Sequence, residues 1–397
     1  MENISNINID RSLKDLSTLK PVSKSLLVNR EEHQLKWLEQ LPAPARVRFE
    51  KAGIDLSQGY PPIPESKNIP RFVDEAFEIR NEEFPYIERG KHADPNKKSL
   101  FGAAKEVKHL TKHLGTEIIG LQLSDLDDKQ KDELALLVAE RVVVFFRDQD
   151  LSPQKQLELG KYWGQVEKHP QARYVPLPEQ YLDNTLEGSG ITVIWRKFLN
   201  DLNDRKPDFR KEVSNTLFHT DLVHEKQPAG ITHLHNDTIP RIVGDTVWSS
   251  GYAAYDKLSP AFQKFLEGKK AIYRPVYIER ELPIIRTHPA TGWKSLFVNR
   301  SITTRIVELE PVESRVILEY LFGVFEKNLD IQLRFSWQPI KKSFGTSAIW
   351  DNRVSQHYAV GDYDSNNDDR HGTRVSSLAE IPYFDSSSKS QREALRL

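Results

Sequence analysis

Between residues 216 and 380 the chain is a series of short extended segments, broken at close intervals by glycine and proline. Such spacing lets strands turn back on one another, and it predicts a β-sandwich or jelly roll, not a doubly wound parallel sheet. No glycine-rich phosphate loop and no internal repeat interrupts the pattern. Upstream, the run Arg141-Val142-Val143-Val144-Phe145-Phe146-Arg147 is apolar throughout and bounded by charge, which predicts a buried strand. Gly115 to Leu121 reads as a second strand and Ile191 to Trp195 as a third, within an otherwise loop-rich stretch from 170 to 215. Two helices are expected among them. One runs from Ser124 to Glu140, with Asp125, Asp127 and Asp128 enriching its first turn, and the other from Ser152 to Trp163, with Ser152 as N-cap and Pro153 at the first helical position. The fold class expected is therefore mainly β with helical insertions.

The first hundred residues carry less pattern. Leu35, Trp37 and Leu38 give Arg30 to Gln40 an amphipathic helical face, closed by Pro42 and Pro44. From 54 to 100, proline and charge dominate among scattered aromatics, and this stretch reads as an extended arm against a domain or a neighbouring subunit.

Composition narrows the function. A net charge of −1 gives no reason to expect nucleic acid or an anionic membrane as partner. The polar N-terminus lacks an apolar signal region and no stretch approaches the length of a membrane span, so a soluble, cytoplasmic protein is expected. There is no cysteine, and the only methionine is Met1, which excludes thiolate metal sites and cysteine nucleophiles. Three readings fit this poverty in sulfur: compositional drift, avoidance of oxidisable side chains near iron and oxygen, or synthesis when sulfur is scarce.

The chemistry-bearing residues are histidines and carboxylates. His219-Thr220-Asp221 is an H-x-D unit, and alternate residues of an extended strand share a face, so an imidazole and a carboxylate are offered together. A 2-His-1-carboxylate set, which suits non-haem Fe(II), needs a second histidine, and His357, far downstream, is a candidate. Arg370 and Arg374 follow it, and a guanidinium is the natural partner for the far carboxylate of a 2-oxoglutarate cosubstrate. A rival exists, because His235-Asn236-Asp237 is also H-x-D and His233 precedes it on the same spacing. By spacing alone either set could hold a metal, and either pair reads first as a hydrogen-bonded histidine on a strand.

Six runs, Val144-Phe145-Phe146-Arg147-Asp148-Gln149, Phe218-His219-Thr220-Asp221, Gly244-Asp245-Thr246-Val247-Trp248, Arg286-Thr287-His288-Pro289, Leu296-Phe297-Val298-Asn299 and Trp350-Asp351-Asn352-Arg353, resemble in order the TauD/TfdA family of Fe(II)- and 2-oxoglutarate-dependent dioxygenases. The long N-terminal extension and the Gly-Thr-Arg-Val-Ser-Ser ending are most similar to its fungal sulfonate branch. The resemblance implies a double-stranded β-helix (jelly-roll) core over residues 107–385, an N-terminal extension over 1–106 packed on the core or on a neighbouring subunit, and a C-terminal tail over 386–397. It implies iron at His219, Asp221 and His357, with Thr246 and Arg374 holding the far carboxylate of 2-oxoglutarate and Arg370 as a further neighbour whose alternative is a surface ion pair with Asp368 or Asp369. His169 and Asn215, with Arg374, match positions around the substrate's anionic group. His235 is demoted to a place beside the site or in its pocket wall, and His224, His288 and His371 to structural roles.

The activity implied is hydroxylation of an organosulfonate such as taurine, giving sulfite and an aldehyde with succinate and carbon dioxide. Alkyl sulfates and aryloxyalkanoates are alternatives within the family. From other classes, a catalytically inactive jelly-roll binding protein has no need of His219, Asp221, His357 and Arg374 together, and a hydrolytic metalloprotein has no evident use for the arginine. Homo-oligomerisation is expected, with a small-molecule substrate as partner.

Overall fold

The computed structural model describes residues 30–62, 83–168, 172–182, 188–202, 218–273, 279–341, 344–364 and 367–396. Its centre is a seven-stranded sheet. In spatial order the strands are Glu106–His109, Thr116–Ile119, Val143–Gln149, Gly345–Asp351, Ala229–Thr238, His371–Leu378 and Thr192–Trp195. All neighbours are antiparallel except Thr116–Ile119 on Val143–Gln149. A three-stranded sheet of Gln332–Phe335, Thr246–Ser250 and Ser355–Ala359 faces it.

The apolar run read as a buried strand is covered on both faces. Val143 and Phe145 point inward to the smaller sheet, where Phe145 stacks on Phe335 at 3.7 Å and meets Trp248 edge-on at 5.3 Å. Val144 and Phe146 point outward under helices Asp128–Arg141 and Pro153–Trp163, against Leu134, Val138 and Leu159. Two apolar layers therefore replace the apolar/polar alternation of a half-exposed strand. Aromatic contacts of this kind add about 0.5–1.5 kcal/mol each beyond the area they bury. The strand starts at Val143, two residues later than expected, because the helix runs on to Arg141 and Val142 makes the corner with φ of 71°. Asp127 caps that helix reciprocally with Gln130, and Ser152 caps the next with Pro153 leading.

Several helices went unread in the sequence, among them Lys98–Ala103 at the end of the stretch taken as an extended arm, and Gly251–Asp256 and Pro260–Leu266 among the strands. Helix Pro311–Lys327 lies within the region of short strands, buries Leu318, Leu321 and Phe325, and is opened by a Glu310/Glu313 capping box. The extension holds a second helix, Ala43–Lys51, just after Pro42. It packs Ala45 and Phe49 with Trp37 and Tyr60 against Val193, Trp195 and Val375 of the core. The C-terminal residues pack as well: Ser390 is buried, Lys389 bridges to Trp293, and Arg392 N–H donates to Asp256. Among the described residues no helix is long and apolar enough to cross a membrane.

Candidate active site

His219 and His357 form an isolated antiparallel bridge and exchange backbone hydrogen bonds of 3.0 and 2.8 Å. The bridge brings their rings to 4.2 Å between centroids, tilted at 50°. Asp221 enters the same space, its Oδ1 3.7 Å from His219 Nε2 and 4.0 Å from His357 Nε2. Among the described residues this trio is the group of imidazoles and carboxylates whose ligand atoms converge, all within 4.8 Å. Two imidazoles and a carboxylate are the donor set that suits non-haem Fe(II). Burial, with help from His219, lowers the His357 pKa to about 3, so the ring is neutral and its lone pair is available. Burial opposes the Asp221 charge, but Arg374, His357 and His219 outweigh it and hold the carboxyl below its ordinary value. The residues present fit a bound Fe(II).

The trio is held from behind. Thr220 Oγ1 donates to the Ser355 carbonyl at 2.8 Å. Asn352, fully buried, accepts from the Asp221 N–H at 3.2 Å and donates to Thr232 Oγ1 at 2.8 Å. Thr232 in turn donates to Asp221 Oδ2 at 3.4 Å, so Oδ2 is tied back and Oδ1 faces the histidines. Beneath Asn352 lies a buried ionic cluster. Arg353 binds Asp351 through both Nε and Nη2, reaches Glu380 at 3.1 Å and meets Glu88 of the extension, while His288 holds Asp351 at 2.9 Å. Burial raises the Asp351 carboxyl pKa, but Arg353 and His288 overcome it and hold the group far below the carboxylate range. The Trp-Asp-Asn-Arg and Arg-Thr-His-Pro runs are thus the foundation of the site, a role the sequence reading left unassigned.

The two arginines part company. Arg370 is buried over the Trp337 ring at 5.9 Å, and its Nη2 lies 3.5 Å from Thr246 Oγ1; it turns inward, away from Asp368 and Asp369. Its Nε is buried without a hydrogen-bond partner. Thr246 Oγ1 accepts from Trp337 Nε1 at 3.0 Å, which leaves its own hydrogen for an incoming acceptor. A buried guanidinium donor with nothing to bind calls for an anion. Arg374 lies elsewhere, with Nη1 3.1 Å from Asp221 Oδ1 and its side chain 28% exposed. It is Arg370, not Arg374, that meets Thr246.

The rival set is on the other side of the sheet. Thr232 and Leu234 face the core, so His233, His235 and Asp237 face outward. His233 Nε2 and His235 Nδ1 share the Ser347 hydroxyl at 3.0 Å each, and Asp237 is paired with Arg48 and His371. The expectation that His235 sits beside the site or in its pocket wall is therefore corrected: strand alternation turns it away. His169 and Asn215 lie outside the described residues.

Comparison with known proteins agrees with this geometry. The model of the family described as "Taurine catabolism dioxygenase TauD, TfdA family" matches residues 106–376. A Saccharomyces cerevisiae protein named alpha-ketoglutarate-dependent sulfonate dioxygenase is 34% identical over 325 residues, 76% of this chain and 74% of its own. The Penicillium expansum alpha-ketoglutarate-dependent dioxygenase cnsM is 36% identical over 322 residues, 75% of this chain and 85% of its own. A crystal structure of a taurine dioxygenase from Burkholderia xenovorans superposes with a TM-score of 0.57 at 27% identity, covering 70% of this chain and 92% of the other. With its jelly-roll core and its His-Asp-His trio, this chain belongs to the TauD/TfdA family and is an Fe(II)- and 2-oxoglutarate-dependent dioxygenase.

Proposed function

We propose that the enzyme hydroxylates a short organosulfonate of the taurine kind at the carbon bearing sulfur. The hydroxysulfonate expels sulfite as the aldehyde forms, and 2-oxoglutarate leaves as succinate and carbon dioxide. The observation that carries this reading is the pair of guanidinium groups at one metal site, Arg370 beside Thr246 and Arg374 beside Asp221. Two separate cations suit two separate anions. Arg370 and the Thr246 hydroxyl take the far carboxylate of 2-oxoglutarate, because that pair has a buried donor left over. Arg374 takes the sulfonate, because it stands at the metal trio and is partly open to solvent. This exchanges the assignment expected from sequence, in which Arg374 held the cosubstrate. His169 and Asn215 remain candidates for the same sulfonate pocket. The name of the yeast relative supports a sulfonate in particular.

Bound Fe(II) supplies the coupling of oxygen activation to 2-oxoglutarate decarboxylation. The chain's own residues do the rest. Arg370 and Arg374 orient the two anions, Asn352 and Thr232 fix the carboxylate of Asp221, and Trp350, 4.9 Å from the His357 ring, keeps that side of the site dry. We further read the enzyme as cytoplasmic and homo-oligomeric; mass measurement under native conditions tests the second. The test of function offers taurine, isethionate, an alkyl sulfate and an aryloxyacetate in parallel, with succinate, sulfite and sulfate measured. Sulfite in step with succinate from a sulfonate is expected. Turnover confined to the aryloxyacetate contradicts the sulfonate assignment, and sulfate released from the alkyl sulfate alone moves the enzyme to sulfate esters.

A further inference from the structure

We propose that Arg48 and Tyr60, in the N-terminal extension and outside the residues the family model matches, are positioning residues for Arg370. This rests on the reading that Arg370 holds the far carboxylate of 2-oxoglutarate. The strand His371–Leu378 begins immediately after Arg370; its start pairs in register with Thr192–Trp195 on one side but irregularly with Ala229–Thr238 on the other. His371 lies opposite Thr238 and Gly372 opposite Asn236, so Asp237 is skipped and the ladder slips at this point. Gly372 lies so close to the neighbouring strand that an added Cβ would sit 2.6 Å from the His235 carbonyl oxygen, a contact only glycine allows.

Side chains on the outer face reinforce the side on which the ladder slips. His371 is gripped at both ring nitrogens, Nδ1 by Asp237 Oδ1 at 2.8 Å and Nε2 by the Tyr60 hydroxyl at 2.9 Å. The Asp237 carboxylate accepts from the ring, and the Tyr60 hydroxyl meets its other nitrogen. Arg48, its side chain 9% exposed, spreads over four partners. It donates to the Leu151 carbonyl at 2.7 Å, Thr373 Oγ1 at 2.9 Å, Gln156 Oε1 at 3.1 Å and Asp237 Oδ2 at 3.2 Å. The extension thus fixes Asp237, His371 and Thr373 from outside, while Arg370 and Arg374 act on the inside. Loosening the outer grip lets the start of the strand shift, and Arg370 goes with it. The metal trio stands on other elements and is held by Asn352 and Thr232; the contacts this strand makes with that group, Arg374 to Asp221 and Ser376 to Thr232, lie further from its start.

The experiment uses the full-length protein loaded with Mn(II) and titrated with 2-oxoglutarate by calorimetry. Tyr60→Phe keeps the ring packed on Phe49 and Trp195 and removes only the hydroxyl. Arg48→Lys keeps the charge and removes the fork. Each is expected to raise the Kd for 2-oxoglutarate by roughly three- to tenfold, the scale of one lost hydrogen bond, with the Kd for Mn(II) unchanged. A wild-type Kd for 2-oxoglutarate in folded Tyr60→Phe overturns the inference, leaving the extension only a stabilising role; should Arg48→Lys fail to fold, Tyr60→Phe decides alone. Equal loss of Mn(II) and 2-oxoglutarate also overturns it, because the effect is then general. Arg370→Ala is the separate control: if it binds 2-oxoglutarate normally, the reading of Arg370 fails, and this inference with it.

Discussion

The spaces on the two sides of the large sheet hold the same three kinds of side chain and do different things with them. On the inner side, His219, Asp221 and His357 point their ligand atoms at one another, and Arg370 keeps a buried donor unmatched. On the outer side, His233 and His235 meet a serine, and Asp237 meets an arginine and a third histidine. The motif is common to both. What separates them is convergence. The inner ligand atoms all lie within 4.8 Å of one another. On the outer side Asp237 and one nitrogen of each histidine are already met by other residues, although His233 Nδ1 has no hydrogen-bond partner. A site that must bind an ion and anions leaves demand unfilled, whereas an interior polar cluster fills most of it.

That contrast can be broken by substitution. Replacing His219, Asp221 or His357 with alanine is expected to abolish metal binding and sulfonate-dependent succinate formation, while His235→Ala retains bound metal at some cost in packing. Metal analysis of the purified variants checks this, and loss of metal from His235→Ala with retention in His219→Ala would place the ion on the wrong face for this account. Next in size is Asp237→Ala, which leaves Arg48 buried without its carboxylate and is expected to cost about 3–5 kcal/mol of stability in urea unfolding. Its effect on metal affinity should be small. Asn352→Ala acts in the opposite sense. It frees Asp221 from behind, and about a 10- to 100-fold weaker Mn(II) affinity is expected, in line with other residues that orient a ligand; an unchanged titration would deny Asn352 that role.

The smallest effect is in pH. His233 and His357 each have a pKa lowered to about 3, chiefly by burial. In the unfolded chain they take up protons near the ordinary value of about 6.5, so the unfolded state binds more protons between these limits. Metal-free protein should therefore lose stability as pH falls from about 6.5 towards 3, by about 1 kcal/mol per histidine over the first unit and about 1.4 kcal/mol over the next. His233→Gln, on the outer face, should shallow that slope without affecting metal binding.

Much of this was legible in local pattern. The run around Phe145 announced a strand covered on both sides, and Ser152-Pro153 announced a helix start, because those signals depend on neighbours in sequence. The H-x-D spacing found both histidine sets. It could not rank them, since the ranking lies in partners such as Ser347, 112 residues from His235. Nor could local sequence divide Arg370 from Arg374. Both stand near the start of one strand, and only Thr246 and Asp221, brought in from other elements, tell them apart. Arg48 is further still, meeting Thr373 across 325 residues. The helix Pro311–Lys327 was missed for a different reason: its proline, read as a breaker between strands, stands at the first turn of a helix, where proline is welcome.

The division of the arginines is the central claim, and equilibrium binding tests it most directly. Oxygen-free, Mn(II)-loaded Arg370→Ala and Arg374→Ala are each titrated with 2-oxoglutarate and then with taurine. The account predicts that Arg370→Ala loses chiefly 2-oxoglutarate and Arg374→Ala chiefly taurine. The reverse pattern, with Arg374→Ala losing 2-oxoglutarate while Arg370→Ala retains it, would contradict it.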